Sequence, residues 1–393
     1  MGIVRRELER RLALAFVVAL LGFMAGSSGA IAHASPSAAL SPNPSSTEND
    51  LFGVSAVSAT DAWAVGDYVD DTTGHLDTLI LHWSGTAWSQ VPSPNPSPGG
   101  LNELFAVSAD SATDAWAVGD YRDVTTDRLI PLILHWNGTA WSQVPSPNPR
   151  PSKSTHTLYG VSADSATDAW AAGYFWSKSA LTYKTMTFHW NGTAWSRVRS
   201  PNRGSVANYL YAVSALSPFD AWAVGREDTV IADHQYTRAL LLHWDGAAWS
   251  SVRGPSLKQS LNYLYGVSAL SATDAWAVGV KSDHTLSLRW DGAAWSRVPS
   301  PTPSSSDVRS AALRSVSADS TTDAWAVAWG SFTMHWDGSS WSQVAAPSPG
   351  TGGYLFGVSA VSPTDAWAVG YYVDGFTTDT LLLHWNGTTW VMV

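Results

Sequence analysis

The chain has no cysteine among its 393 residues, and only 14% of its residues are charged. Disulfides, thiolate zinc sites and a lipid-modified cysteine anchor are therefore excluded, so the fold has to be stabilised by packing. The sequence also lacks a Gly-x-Ser-x-Gly elbow, a phosphate-binding glycine loop and a His-Glu-x-x-His helix. We accordingly expect no cofactor, no catalytic residue of these types and no metal site of these types.

Tryptophan is abundant instead, with 23 in the chain. All but two of them belong to three phrases that recur seven times. In the first repeat the phrases are Asp-Ala-Trp-Ala-Val-Gly at 61–66, Leu-His-Trp at 81–83 and Trp-Ser-Gln-Val at 88–91. The first tryptophan returns at 116, 170, 222, 276, 325 and 367, the second at 136, 190, 244, 290, 336 and 385, and the third at 141, 195, 249, 295, 341 and 390.

A repeat of this kind, about 49 residues long over 51–393, is typical of units that stack because one unit cannot bury its own hydrophobic face. Each unit holds four short runs with strand composition, such as 51–57, 62–66, 78–83 and 87–91. The sequence thus predicts an all-β protein, a seven-bladed β-propeller of four-stranded antiparallel blades. The expected blades are approximately 51–91, 104–145, 158–199, 210–252, 264–299, 313–345 and 355–393.

The first run of each blade is expected to line the central channel, where small residues such as Gly53 fit the limited space. Because the chain starts and ends at the same phase of the repeat, no strand is left over for exchange. Closure of the ring is therefore expected to rest on packing between blades 1 and 7.

The dipeptide between the third and fourth runs is Ser-Gly, Asn-Gly or Asp-Gly in every repeat. These residues predict a two-residue type I′ hairpin. Such a turn at 84–85 would place Trp83 opposite Thr86 and Leu81 opposite Trp88, with the two tryptophans diagonal to each other.

The N-terminus has the layout of a secretory signal peptide: four arginines, an apolar stretch at 12–24 and Ala-His-Ala at 32–34. We expect cleavage after Ala34, with an uncleaved membrane anchor as the alternative. Residues 35–50 would form a Ser/Pro-rich leader. Without residues 1–34 the chain has 18 basic and 30 acidic side chains, a net charge of −12. This charge disfavours nucleic acid as a partner, and the expected location is secreted or at the exterior of the cell envelope.

The order Leu-Phe-Gly-Val-Ser-Ala, Asp-Ala-Trp-Ala-Val-Gly, Ile-Leu-His-Trp and Gly-Thr-Ala-Trp resembles the repeats of photosystem II stability and assembly factor propellers. It is more distantly similar to the Asp-box repeats of sialidases. The resemblance covers 51–393 and implies a seven-bladed fold. Those families place an aspartate two residues before the turn glycine, whereas Trp83 and its equivalents stand there in this chain. The resemblance therefore implies little about function.

One histidine recurs before the second tryptophan in every blade except the fifth, where Arg289 replaces it. One aspartate likewise recurs two residues before the first tryptophan. A side chain repeated around a ring meets a packing need common to all blades, whereas an enzyme site needs unlike groups at one point. We interpret both series as structural, with the aspartates accepting backbone N–H groups in turns.

The loops between the second and third strands vary and should lie on the face opposite the repeated turns. From the end of strand two to the His-Trp tryptophan, the separations are 17, 17, 17, 19, 11, 8 and 15 residues. The rim of this face should therefore be tall on blades 7, 1, 2, 3 and 4, and low on blades 5 and 6.

The loops of blades 1, 2 and 7 share tyrosines and carboxylates, which suit a polyhydroxylated ligand or a calcium ion. Blade 3 adds an aromatic rim around one of the two non-repeated tryptophans. The alternative to ligand binding is a duplicated, solvated loop in blades 1, 2 and 7, and packing within the loop in blade 3. The candidate ligand-binding residues are Asp67, Tyr68, Asp70, Asp120, Tyr121, Asp123, Tyr371, Tyr372, Asp374 and Trp176.

Two function classes remain open. The first is a secreted, non-catalytic binding or scaffold propeller, expected to be a monomer, that presents variable loops to a glycan or an extracellular protein and contacts no membrane beyond the signal segment. The second is a glycan-active hydrolase or lyase, which would need two carboxylates about 5 to 9 Å apart over the channel mouth. A deep pocket with coupled, shifted carboxylates would favour the enzyme.

Overall fold

A computed structural model describes residues 41–147, 155–231, 233–255, 261–304 and 310–393. The predicted signal peptide and the first part of the leader lie outside these residues. Among the described residues, no helix has the length and apolar character that crossing a bilayer requires.

Each of the first four sheets consists of four consecutive strands. Their strands are β1 (Asn49–Ser58), β2 (Asp61–Val69), β3 (Leu76–Trp83) and β4 (Trp88–Gln90); β5 (Asn102–Ser111), β6 (Asp114–Asp123), β7 (Arg128–Trp136) and β8 (Trp141–Gln143); β9 (His156–Ser165), β10 (Asp168–Ser177), β11 (Thr182–Trp190) and β12 (Trp195–Val198); β13 (Ala207–Ser217), β14 (Asp220–Ile231), β15 (His234–Trp244) and β16 (Trp249–Ser251).

The other three sheets follow the same order. Their strands are β17 (Asn262–Ser271), β18 (Asp274–Lys281), β19 (His284–Trp290) and β20 (Trp295–Val298); β21 (Leu313–Ser320), β22 (Asp323–Ala328), β23 (Phe332–Trp336) and β24 (Trp341–Val344); β25 (Gly352–Ser362), β26 (Asp365–Asp374), β27 (Thr377–Trp385) and β28 (Trp390–Met392). All strand pairs within these sheets are antiparallel and sequential. The predicted all-β fold of seven four-stranded blades is confirmed.

The first strands of neighbouring blades contact each other around a closed ring, so they surround the channel as predicted. Space there is short, because a Cβ on Gly53 would lie 2.9 Å from the Cα of Ala106 in the next blade. Most first strands begin earlier than the sequence predicted; β1, for example, starts at Asn49 and pairs that residue with Tyr68. The second strand continues past its glycine and gives these extra residues a partner.

The predicted two-residue hairpin is wrong. Trp83 pairs directly with Trp88, and Leu81 pairs with Gln90, so the loop has four residues. Only its second residue, Gly85, has a positive φ, of 87°. In blade 2 the preceding Asn137 uses its side-chain Oδ1 to accept the backbone N–H groups of Thr139 and Ala140, both at 3.0 Å. Asparagine and aspartate are thus selected for a side-chain turn rather than for positive φ.

The 21 repeated tryptophans form a tryptophan belt between the blades. In every blade the ring centroid of the second-strand indole lies 4.8–5.0 Å from that of the third-strand indole in the next blade. It lies 4.9–5.1 Å from the centroid of the fourth-strand indole in the same next blade. The Trp63 side chain of blade 1, for example, is 1% exposed between Trp136 and Trp141 of blade 2. Burial of this aromatic surface is a large apolar contribution to each blade interface.

A second repeated contact joins the blades close to the channel. The Ser55 hydroxyl in β1 accepts the backbone N–H of Ala109 in β5 at 3.0 Å. The same bond recurs at the other six interfaces at 3.0–3.1 Å, and the last one runs from Ala56 N–H to Ser359 and closes the ring. The serine of the repeated Val-Ser-Ala phrase therefore has a role that sequence analysis missed.

Ring closure uses the leader as well as packing. The backbone N–H of Thr380 in blade 7 donates to Asn43 at 2.8 Å, just as Thr78 in blade 1 donates to Asn95 of the following linker at 2.8 Å. The side-chain amide of Asn49 donates to the Thr378 carbonyl at 3.1 Å. The leader thus occupies, on blade 7, the place that a linker occupies elsewhere. The expectation that closure rests on packing alone was incomplete, although no described leader residue adds a fifth strand to blade 7.

Candidate functional site

The repeated histidines and aspartates pair with each other. In six blades the histidine Nε2 lies 2.5–2.9 Å from the aspartate Oδ1 at the start of the second strand. The ring also packs on the second-strand indole, as His82 does on Trp63 at 4.3 Å. In blade 5, Arg289 donates two hydrogen bonds to Asp274 at 3.0 and 2.8 Å. The same contact in every blade supports a structural role. The sequence did not reveal that the partner of each carboxylate is this side chain, a histidine in six blades and Arg289 in the fifth.

A second carboxylate joins this pair in blades 2, 3 and 6. Burial, together with the neighbouring Asp168, raises the pKa of Asp164 to about 6. Burial and the hydrogen bond with Asp323 raise the pKa of Asp319 to about 6 in the same way, and the pKa of Asp110 is also raised. These coupled carboxylates lie beside the turns between first and second strands. They are on the repeated-turn face, away from the variable loops where a hydrolase was expected to place them.

A collar of seven side chains surrounds the channel. Each first strand has a β-bulge after its buried leucine, and the bulged residue faces the channel. The collar consists of Phe52, Phe105, Tyr159, Tyr211, Tyr265, Arg314 and Phe356. Successive aromatic members are 5.0–5.9 Å apart, and the Arg314 guanidinium lies 4.6 Å from the Tyr265 ring centroid. Burial raises the pKa of Tyr211 well above its usual range, so this phenol stays neutral.

Above the collar, on the side of the variable loops, lies the channel mouth. The residue that follows the glycine position of each second strand lies at this level, half-buried in blades 3, 4, 6 and 7 and buried in blades 1, 2 and 5. Around the ring these residues are Asp67, Asp120, Tyr174, Arg226, Val280, Trp329 and Tyr371. Their first-strand partners also differ, from Asp50 opposite Asp67 to Tyr354 opposite Tyr371. The mouth therefore breaks the sevenfold repeat that the blade interfaces keep.

Blades 1 and 2 make the mouth acidic. Asp67 and Asp120 are fully buried, and they pair in register with Asp50 and Glu103. Oxygens of Glu48, Asp50 and Asp67 lie within 4.8 Å of one another. Carboxylates at this spacing have the chemistry to share a hard cation such as Ca²⁺.

Blades 3 to 5 make the opposite side of the mouth aromatic. Tyr174, Tyr183 and Tyr209 contact one another with ring centroids 4.7–5.5 Å apart. The Arg226 guanidinium lies between two tyrosines, 4.5 Å from the Tyr209 centroid and 4.9 Å from that of Tyr263. Burial raises the pKa of Tyr209 to about 12. We call these five residues the tyrosine–arginine cluster.

The tyrosines predicted as ligand contacts lie behind the mouth. Adjacent strand residues point to opposite faces, so the Tyr68 ring and the Asp67 carboxylate lie on opposite sides of blade 1. Tyr68, Tyr121 and Tyr372 are half-buried against the cores of the blade interfaces. Burial raises the pKa of all three phenols. Of the predicted residues, the mouth brings together Asp67, Asp120 and Tyr371.

The remaining predicted residues lie farther out. Asp70 is half-buried and accepts hydrogen bonds from Thr72 and Thr73, which lower its pKa to about 2. Asp123 caps its loop in the same way, and Asp374 is exposed at the end of β26. Trp176 is half-buried and contacts Tyr183 at 5.0 Å, which places it beside the tyrosine–arginine cluster. The cluster itself was missed, apart from its blade 3 residues, because Tyr209, Arg226 and Tyr263 belong to other repeats.

No family model matches the chain, and no curated protein sequence matches it. Solved structures do match its fold. YCF48 bound to D1 peptide is 13% identical, with a TM-score of 0.51 over 90% of this chain and 99% of that chain. YCF48 from Cyanidioschyzon merolae is 16% identical, with a TM-score of 0.52 over 87% and 97%.

Virginiamycin B lyase from Staphylococcus aureus is 12% identical, with a TM-score of 0.53 over 81% of this chain and 90% of that chain. At these identities the likeness concerns the fold. It confirms the resemblance to the propellers of photosystem II assembly factors at that level.

Proposed function

We propose that this chain is an exported, non-catalytic binding propeller that holds a protein or glycan partner over the channel mouth. The observation that carries the proposal is the contrast between seven equivalent blade interfaces and a mouth whose seven positions carry five residue types. A binding surface needs unlike groups at defined places, whereas a structural repeat does not. The signal-peptide pattern at 1–34 supports export.

The chemistry of the mouth indicates how a partner would be held. Its acidic side, over the buried Asp67 and Asp120, favours basic groups, and its aromatic side offers stacking surfaces and the Arg226 guanidinium. YCF48, which shares this fold, has been solved bound to a D1 peptide. This supports a polypeptide partner in particular. Tyr371 and Trp176 would extend the surface at its edges, with Tyr68, Tyr121 and Tyr372 as support and Asp70, Asp123 and Asp374 on the loops.

The binding proposal is tested with a displayed peptide library and a glycan array, both probed with the purified protein. Ligands that bind are then measured against the double variant Tyr209→Ala with Arg226→Ala. We expect at least a tenfold loss of affinity, about 1.4 kcal/mol, with little change in the unfolding midpoint. Phe219→Ala is the matched control, since Phe219 is a 71% exposed aromatic on the repeated-turn face. Equal affinities for the double variant, the control and the wild type would exclude the mouth as the binding surface.

Export is tested separately by expressing the full chain in a bacterial host and sequencing the N-terminus of the extracellular protein. We expect the sequence to begin at Ser35. Recovery of the protein only inside the cell, with Met1 retained, would contradict the proposal that it is exported.

A further inference from the structure

The structure assigns a second binding site, for the carboxylate group of a small aromatic acid, to the side chain of Arg314 in the collar. Arg314 is the residue at the bulge of the first strand of blade 6, between Leu313 and Ser315. The other six blades have phenylalanine or tyrosine at this position, so Arg314 is the one charged member of the collar. All seven collar side chains are half-buried, and each therefore keeps surface for contact with a ligand in the channel.

The positive charge of Arg314 is not matched by an acidic side chain. Within the described parts of the chain, no carboxylate forms an ion pair with this guanidinium and no acceptor forms a hydrogen bond with it. Its Nε is buried and has no partner there. Arg289, by contrast, bonds Asp274 through two of its nitrogens. A half-buried cation whose N–H groups lack acceptors has a free-energy cost, and a bound anion would remove that cost.

Two aromatic rings hold the guanidinium and leave its N–H groups for a ligand. The Cζ of Arg314 lies 4.6 Å from the ring centroid of Tyr265 and 4.6 Å from that of Trp329. Cation–π attraction to these rings favours one position of the charge. The N–H groups lie in the guanidinium plane and form a fork that matches the two oxygens of a carboxylate. Arg314 is therefore suited to bind a carboxylate through two parallel hydrogen bonds.

The rest of the collar favours an aromatic ligand over a bare anion. Its other members are all phenylalanine or tyrosine, and successive rings are 5.0–5.9 Å apart. A ligand ring can pack on them in the offset or edge-to-face arrangement that aromatic rings prefer. Asp67 and Asp120 disfavour an anion near them, but they belong to blades 1 and 2, and at least one other blade separates these from blade 6. A benzoate-like acid with its carboxylate on Arg314 meets both conditions.

This inference goes beyond the proposed function, because it concerns a small ligand inside the channel rather than a partner over the mouth. The two can fail independently. A partner that binds over the mouth, together with no binding of an aromatic acid, would overturn this inference and leave the proposed function intact. Binding of the aromatic acid without any partner at the mouth would do the reverse.

The experiment is a calorimetric titration of the purified protein with benzoate at low ionic strength. Benzamide and benzylamine are the comparison ligands, because they share the ring and carry a neutral or a cationic group in place of the carboxylate. We expect one saturable site for benzoate, and binding weaker by about tenfold or more for both comparison ligands, the scale of hydrogen bonds to a charged group. Inorganic phosphate, an anion without a ring, should also bind more weakly than benzoate.

Two variants of Arg314 separate the loss of the site from a loss of folding. Arg314→Phe introduces the residue that blades 1, 2 and 7 have at this position, so the collar should keep its packing and the melting temperature should not fall. Arg314→Gln keeps a polar side chain but removes the charge. Both variants should weaken benzoate binding by about tenfold or more. The matched control is Arg289→His, which gives blade 5 the histidine of the other blades and should leave benzoate affinity unchanged.

A further variant tests whether a side chain of the linker into blade 6 already neutralises Arg314. Asp307 is the acidic residue of that linker and lies outside the described residues. Asp307→Asn should leave benzoate affinity unchanged, and a clear gain would show that the chain supplies its own carboxylate to Arg314, which would overturn the proposal. The proposal is also overturned if benzoate does not bind at millimolar concentration, if benzamide or phosphate binds as tightly, or if both Arg314 variants bind benzoate like the wild type.

Discussion

The tryptophan belt and the channel mouth belong to the same repeat but follow opposite rules. In the belt, the centroid distance of each type of indole pair varies by only 0.2 Å across the seven interfaces. At the mouth, the residue after the second-strand glycine position changes from a buried carboxylate to tyrosine, arginine, valine or tryptophan. The belt repeats because each blade has to fit two neighbours.

This difference indicates which substitutions should affect stability and which should affect binding. A belt residue is buried between two close-packed sheets, so its loss leaves a cavity that the neighbours cannot fill. The half-buried mouth residues, such as Tyr174 and Arg226, lie above the collar at the end of the sheet, where exchange of one side chain leaves the interface cores in place. Stability should therefore depend on the belt and binding on the mouth.

The largest expected loss of stability comes from substituting a tryptophan of the belt. Trp195 is 5% exposed and lies 5.1 Å from Trp116 of the preceding blade. Trp195→Ala should lower the free energy of unfolding by about 3 to 5 kcal/mol, measured by denaturant titration. The matched change outside the belt is Trp176→Ala, which should cost about 1 kcal/mol or less. Equal losses in both variants would remove the distinction between the two regions.

The next effect concerns closure of the ring. Asn49 is buried and joins the leader to blade 7, and Asn102 joins a linker to blade 1 through equivalent hydrogen bonds. Asn49→Ala and Asn102→Ala should each lower stability by about 2 kcal/mol, because both leave buried polar groups without partners. If only Asn102→Ala lowers the midpoint of denaturant unfolding, the leader does not contribute to closure.

A smaller effect is expected at the repeated histidines. His189→Gln removes the packing on Trp170 and weakens the contact with Asp168, which should cost about 1 kcal/mol. His189→Arg should cost less, since Arg289 already bonds the equivalent Asp274 in blade 5 and lies 5.2 Å from the centroid of the Trp276 ring. Thermal unfolding of both variants tests the order, and a greater loss for arginine would show that the blade 5 arrangement does not transfer.

The smallest expected effect on stability is an increase rather than a loss. The pKa of Asp164 rises in the folded state from 3.8 to about 6, so the folded protein binds this proton more tightly than the unfolded chain. Its contribution to stability is fully present below 3.8 and is lost as the pH rises through about 6. Asp164→Asn should therefore stabilise the protein at neutral pH, by less than about 1 kcal/mol after solvent screening.

The measurement is the unfolding midpoint of Asp164→Asn and wild type as a function of pH. The two curves should converge at acidic pH and separate as the pH rises through about 6. Leu216 occupies the same position in blade 4, so an uncharged side chain fits there. A variant that is less stable than wild type at neutral pH would show that the Asp164 carboxylate is stabilising.

Much of the fold was predictable, because each blade is encoded by local patterns. The strand composition, the glycine turns and the tryptophan phrases recur in a fixed order, and seven copies of one unit leave few ways to pack. The turn register was predicted wrongly because asparagine and glycine suit two turn types, and only the pairing of Trp83 with Trp88 distinguishes them. The serine bonds between blades could not be predicted, since each one joins residues of different blades.

The candidate site was less predictable. The sequence drew attention to the residues after the second-strand glycine, Asp67, Asp120 and Tyr371, but it paired each with its neighbour along the chain. Strand alternation separates those neighbours, while ring geometry brings together Tyr174, Tyr209 and Arg226 from different segments.

The sequence by itself determined the number of blades, the strands within each and the residues that bury the interfaces, because these follow from local periodicity and apolar area. The tertiary structure decided which unlike side chains meet at the mouth and how the leader closes the ring. These outcomes depend on distances between residues of different blades. Such distances are set by the packing of the whole ring.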